Sequence, residues 1–207
     1  MNLRDIFEVL PDLRERLGAV ENASALVDVL EGERPEARKA AVLLTLFARD
    51  GETHLIFIRR AATLRAHGGE IAFPGGSYDP EDASLVTTAL REAFEEIGLE
   101  STRVEVLGLL PPVFTVVSNF LILPVVAYLP GGPGALVAQV SEVAEVLQLP
   151  LHALAEPSIA HTELWSNGGR TRQVYFYDYG SLRIWGATGR ILASLLTLLR
   201  PAQHPGP

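Results

Sequence analysis

Between residues 85 and 97 the apolar positions Leu85, Ala89, Leu90, Ala93, Phe94 and Ile97 recur every three or four residues, the spacing of one face of an α-helix. Asp82 or Ser84 suits the N-cap of this helix, and Gly98 suits a left-handed C-cap. Other stretches follow a strand rhythm. Residues 39–48 and 53–60 are apolar runs rich in β-branched side chains, joined by Arg49, Asp50, Gly51 and Glu52, whose Asp-Gly pair predicts a hairpin turn. Further strands are expected over 103–109, 120–129 and 144–149, with Pro150 opening a short helical turn. Residues 162–165 and 172–177 flank Asn167-Gly168-Gly169, a second hairpin signal. A closing helix is expected over 187–199, and two short amphipathic helices over 2–17 and 22–31 precede a charged joint at 31–39. Mixed strands with helices on each side predict an α/β protein, an α/β/α sandwich around a central mixed sheet. Its parts are an N-terminal helical extension over 1–36, a main domain over 37–200 and a polar, proline-bearing tail over 201–207 expected to be disordered.

Composition narrows the class. A chain of 207 residues, 48% apolar, is long enough for one substantial core. No apolar run reaches the length of a membrane span, and the first 17 residues carry acidic side chains and a proline where a signal peptide has an uninterrupted apolar core. A cytoplasmic protein is expected. The absence of Cys removes disulfides, thiol nucleophiles and thiolate metal sites. A formal charge of −8 disfavours nucleic acid as a partner, because such binding depends on cations neutralising phosphates.

The chemistry-bearing stretch is the helix itself. Glu92, Glu95 and Glu96 lie three and four residues apart, so their carboxylates project along one stripe and repel one another. A charge run on a helix is most often a solvated face. As a site, the same cluster suits a hard divalent cation with oxygen ligands, Mg²⁺ or Mn²⁺ before Zn²⁺, since no Cys exists and no His lies close by in sequence.

The pattern around these glutamates resembles the Nudix box, Gly-x5-Glu-x7-Arg-Glu-U-x-Glu-Glu-x-Gly-U, where U is apolar. Gly76 opens it, and Arg91, Glu92, Ala93, Glu95, Glu96, Gly98 and Leu99 close it without a gap. The middle departs: the acidic position falls at Asp82 and eight residues, one more than usual, precede Arg91. This reads as a one-residue loop insertion with Asp in place of Glu. Upstream, residues 55–76 are similar to the signature of the coenzyme A pyrophosphatase branch, through Arg59, Leu64, Arg65, His67, Gly69, Glu70, Ile71, Phe73, Pro74, Gly75 and Gly76. That branch usually has a small hydroxyl residue after the first arginine, where this chain has Arg60. Pro111, Thr115, Ser118, Phe120 and Pro124, then Ile184, Trp185 and Gly186, extend the likeness to about residue 199.

The resemblance implies a Nudix fold and metal-dependent hydrolysis of a diphosphate bond, with coenzyme A and its derivatives cleaved to 3′,5′-ADP and 4′-phosphopantetheine or its acyl form. It assigns Glu92, Glu95, Glu96 and the Gly76 carbonyl to Mg²⁺ or Mn²⁺. Glu92 and Glu95 become the catalytic candidates, with Glu92 first choice for handling the water. Arg91, Asp82 and Gly98 become structural members of the motif. Arg59, Arg65, His67 and Gly75 are candidates for substrate contact, against surface or loop-holding roles, with Arg60 ranked below them. Glu142 and Glu145 lie at a strand that approaches the metals or is simply exposed. Phe73, Phe120, Trp165 and Trp185 are candidates for stacking on adenine, although apolar-context aromatics are more often core. Two other readings stand: a Nudix hydrolase of ADP-ribose or another nucleoside diphosphate derivative, and a non-catalytic nucleotide sensor, which commonly lacks box glutamates. The expected partner is a small molecule, with neither membrane nor nucleic acid.

Overall fold

Strands β1 (Arg38–Arg49) and β2 (Glu52–Arg60) form the expected hairpin, closed by Asp50 and Gly51 at φ 51° and 77°, the left-handed pair a tight hairpin turn needs. The computed structural model describes residues 2–200 apart from 24, 26, 29–31, 33, 65, 168 and 169. Two short strands follow, β3 (Ile71–Ala72) against β2 and β4 (Gly75–Ser77) against β1. After helix α2 (Leu85–Ile97) come β5 (Glu105–Leu109), β6 (Val113–Thr115) and β7 (Phe120–Tyr128). Both β5 and β6 pair antiparallel with β7, which runs parallel to β1 from Arg38↔Phe120 to Leu46↔Tyr128. Strand β8 (Val143–Pro150) completes the sheet on the far edge of β2. One parallel pairing among antiparallel ones makes the sheet mixed, as expected.

Apolar residues on both faces of β1 and β2 mean that both faces are covered. Ala41, Leu43 and Phe47 with Ile56 and Ile58 pack under Leu85, Ala89, Ala93 and Ile97 of α2. The alternate residues Leu44, Leu46, Leu55 and Phe57 face the opposite layer. That layer holds α1 (Ile6–Arg16), α3 (Leu151–Leu154) and α4 (Gly186–Leu198). It also holds a second sheet of β9 (Ala160–Asn167), β10 (Arg170–Tyr179) and β11 (Leu182–Trp185), where only the β9–β10 hairpin was expected. The extra strands β3, β4, β6 and β11 are two to four residues long, too short to show a period of their own.

Helix α1 begins at Ile6 with Asp5 as N-cap, and its Ile6, Val9, Leu10 and Leu13 are buried in the same core as β1 and α4. Burial of each such side chain is worth about 1.5–3 kcal/mol, so the apolar face of α1 is spent inside the molecule. Of the second N-terminal helix expected at 22–31, the described residues 23, 25, 27 and 28 are helical and follow a 3₁₀ turn at Val20–Asn22, while 24, 26 and 29–31 lie outside the described residues. The expected joint ends earlier than 39, because Arg38 already pairs in β1. The tail at 201–207 and the turn residues 168 and 169 also lie outside the described residues. No described helix is long and apolar enough to cross a membrane.

Candidate active site

The site is built where α2 crosses the Gly75-Gly76 turn. Ser84 caps α2 by accepting from the Thr87 N–H at 3.2 Å, and Gly98 ends it at φ 68°. Of the two candidate caps the structure therefore uses Ser84. Asp82 takes Arg91 instead: Arg91 Nε donates at 3.0 Å and Nη2 at 3.0 Å to its carboxylate. Thr88 Oγ1 donates to Asp82 as well, at 2.8 Å, while Arg91 Nη2 reaches the Ser77 carbonyl at 3.3 Å. Arg91 and Asp82 thus lash the 77–84 loop to the helix. The arginine bonds hold the buried Asp82 carboxyl below its ordinary range, outweighing the opposing effect of burial.

Strand β4 lies so close to β1 that a Cβ on Gly75 would sit 2.3 Å from the Ala41 carbonyl oxygen. A Cβ on Gly76 would sit 2.5 Å from the Glu92 carboxyl, so this carboxylate lies directly over the glycine. Glu96, one helical turn on, accepts the Gly75 N–H at 2.9 Å and is only 2% exposed. Glu92, Glu96, Gly75 and Gly76 are brought together. Glu95 is not: it is half exposed and paired with Arg91 at 2.9 Å, although Arg91 also reaches Glu92 at 2.9 Å.

Burial pushes Glu96 up to about 7, against the Gly75 N–H and the Arg60 guanidinium, with Glu92 and Glu142 adding to the rise. Burial also raises Glu92, opposed by Arg91. A carboxyl raised in the fold contributes stability below its unfolded value of about 4.3 and loses it as pH rises through the folded value. In chelator, thermal unfolding should therefore fall between pH ~4.3 and ~7 in part through Glu96, and Glu96→Gln should flatten that part of the profile. Parallel profiles for the two proteins would show that Glu96 is not the titrating group.

Among the described residues, no three Asp, Glu or His side chains stand close enough together to hold a metal ion. The chemistry of the donor set still fits a hard divalent cation: two buried or half-buried carboxylates, both raised by burial, lie against the Gly75-Gly76 turn, with no nitrogen or sulfur donor among the residues assigned to the metal.

The basic candidates are more dispersed. Arg59 Nε donates to Glu145 Oε2 at 3.2 Å across β2 and β8. His67 Nδ1 lies 3.1 Å from Glu70 Oε2 in the loop before β3, and Arg65 lies outside the described residues. Among the described basic candidates, Arg60, ranked lowest on sequence, reaches the glutamates, with Nη1 3.8 Å from Glu96 Oε1. Phe73 is core at 2% exposure, while Trp165 is half exposed and sits 5.7 Å from Trp185 on the second sheet. Thr115 Oγ1, bonded to Ser118 and to the Phe120 backbone, closes the β6–β7 turn.

A glycine turn under a buried glutamate pair, on the helix of a three-layered α/β fold, defines the class. Residues 37–165 match the NUDIX domain, and the chain belongs to the Nudix hydrolase family. A protein of Photorhabdus laumondii described as the uncharacterized Nudix hydrolase NudL is 42% identical over 158 residues, 76% of this chain and 83% of that one. The NudL of Yersinia pestis is 39% identical over the same length, 76% of this chain and 78% of that one. Among solved structures, the Nudix hydrolase RenU of M. smegmatis superposes with a TM-score of 0.49 at 24% identity, covering 57% of this chain and 73% of that chain.

Proposed function

We propose that this Nudix hydrolase cleaves the diphosphate bond of coenzyme A and its derivatives, releasing 3′,5′-ADP and 4′-phosphopantetheine or its acyl form. What supports the reading is the 55–76 block, which resembles the signature of the coenzyme A pyrophosphatase branch and carries Arg59, Arg60 and His67 on β2 and the loop before Gly75 and Gly76. Arg65 belongs to the same basic group. In a chain of net charge −8, such a group is what an anionic substrate requires.

Glu92, Glu96 and the Gly76 carbonyl would hold Mg²⁺ or Mn²⁺, with Glu95 joining them on release from Arg91; the ion, when bound, would neutralise diphosphate oxygens and acidify a bound water. Glu92 takes the proton of the attacking water. The hydroxyl adds to one phosphorus, the bridging oxygen leaves with the other, and the proton is returned to the products. Arg91 and Asp82 hold the loop while this happens, and Gly98 ends the helix that carries the carboxylates. The domain division at 36/37 and a cytoplasmic location belong to the same reading.

The test is mass analysis of products from parallel digests of coenzyme A and ADP-ribose, with Mg²⁺ or Mn²⁺ and after exhaustive chelation. Coenzyme A should be the better substrate, giving 3′,5′-ADP, and chelation should abolish turnover. Preference for ADP-ribose would defeat the coenzyme A assignment alone. Full turnover in chelator would defeat the metal assignment.

A further inference from the structure

We infer that Arg60 is a resident counter-cation of the glutamate pair that sets how tightly the site takes a divalent cation; this rests on the reading of Glu92 and Glu96 as metal ligands. The residue ends β2, where the pairing with β8 slips: Arg59 lies opposite Glu145 but Arg60 lies opposite Val143. Such a bulge re-aims the side chain that follows it. Arg59 is accordingly occupied by Glu145, while Arg60 turns toward Glu96.

The backbone leaves Arg60 little freedom. Its N–H donates to the Glu70 carbonyl at 2.9 Å and its own carbonyl accepts from Gly69 at 3.0 Å, so the residue is pinned on both sides. The guanidinium is not fully used. Its Nη1 stops 3.8 Å from Glu96 Oε1, beyond hydrogen-bond distance, and its Nε is buried without a hydrogen-bond partner. Among the described residues, the acidic neighbours acting on Glu96 are Glu92 and Glu142, and Arg60 is the cation acting against them.

A positive charge beside a carboxylate does two things. It stabilises the ionised pair when no metal is present, and it repels a metal ion bound to the same oxygens. Arg60 therefore exchanges metal affinity for stability of the metal-free fold.

Three variants test this: R60S, R60Q in case R60S fails to fold, and R60K, which keeps the charge. Each is compared with the unaltered protein by Mn²⁺ titration followed by electron paramagnetic resonance at mildly alkaline pH, and by thermal unfolding in chelator. R60S and R60Q should bind Mn²⁺ roughly ten- to a hundredfold more tightly and unfold at lower temperature when metal-free, with R60K close to the unaltered protein. A merely structural arginine would lower stability without tightening Mn²⁺. Unchanged or weaker Mn²⁺ binding in R60S and R60Q would overturn the proposal. No Mn²⁺ bound by any of the proteins, including the unaltered one, would overturn the metal reading and this proposal with it.

Discussion

Replacing Glu96 by Gln is expected to lower turnover by roughly three decades, about 4 kcal/mol of barrier, in a protein that remains folded. The substitution keeps the shape of the side chain and an oxygen able to accept the Gly75 N–H, which Glu96 receives at 2.9 Å. What it removes is the charge. Because Glu96 is 2% exposed and burial raises its carboxyl to about 7, relief from burying that charge offsets the lost attraction to Arg60. A fall in activity is then a defect of the site, readable from kcat together with an unchanged or raised unfolding temperature. Near-normal turnover would show that this carboxylate is no ligand. Glu92→Gln should be as severe, and a loss below about tenfold would move the base to Glu142 or Glu145.

The two glycines should fail in different ways. Gly75→Ala places a Cβ 2.3 Å from the Ala41 carbonyl oxygen and 2.6 Å from the Val42 α-carbon, at a φ of +153°. Both obstacles are backbone of a central strand and neither can yield, so a loss above about 4 kcal/mol is expected by urea unfolding. Gly76→Ala meets instead the Glu92 carboxyl at 2.5 Å, the far end of a flexible side chain. Its fold should survive and its turnover collapse, since Glu92 must leave its place. Equal stability of the two variants would mean that β4 is free to move away from β1.

Much of α2 was legible because helices are local. Its apolar stripe, its left-handed Gly98 terminus and the glutamates at three- and four-residue spacing all depend on neighbours within two turns. The choice between Asp82 and Ser84 as cap was open on that basis. It is decided by Arg91, nine residues from Asp82, which draws the aspartate out of the capping role and into the loop staple.

The glutamate stripe shows the same limit. Periodicity places Glu92, Glu95 and Glu96 side by side, but it is indifferent to how the helix is rotated on the sheet. Docking of Ala89, Ala93 and Ile97 against β1 turns Glu92 and Glu96 toward the glycines and leaves Glu95 with Arg91 in solvent. Arg60 was the residue sequence reading ranked lowest, because a bulge in the β2–β8 pairing has no marker within β2 itself.

The chain by itself determined the family, the helix with its terminus, the hairpin turn and the residue types of the site, since each follows from spacing over a few neighbouring positions. Only the tertiary structure decided which carboxylates are buried, where Asp82 and Arg60 point, and that a second sheet and α1 close the far face of the core. Those outcomes arise from contacts between segments tens of residues apart, whose energies have no signature in local periodicity.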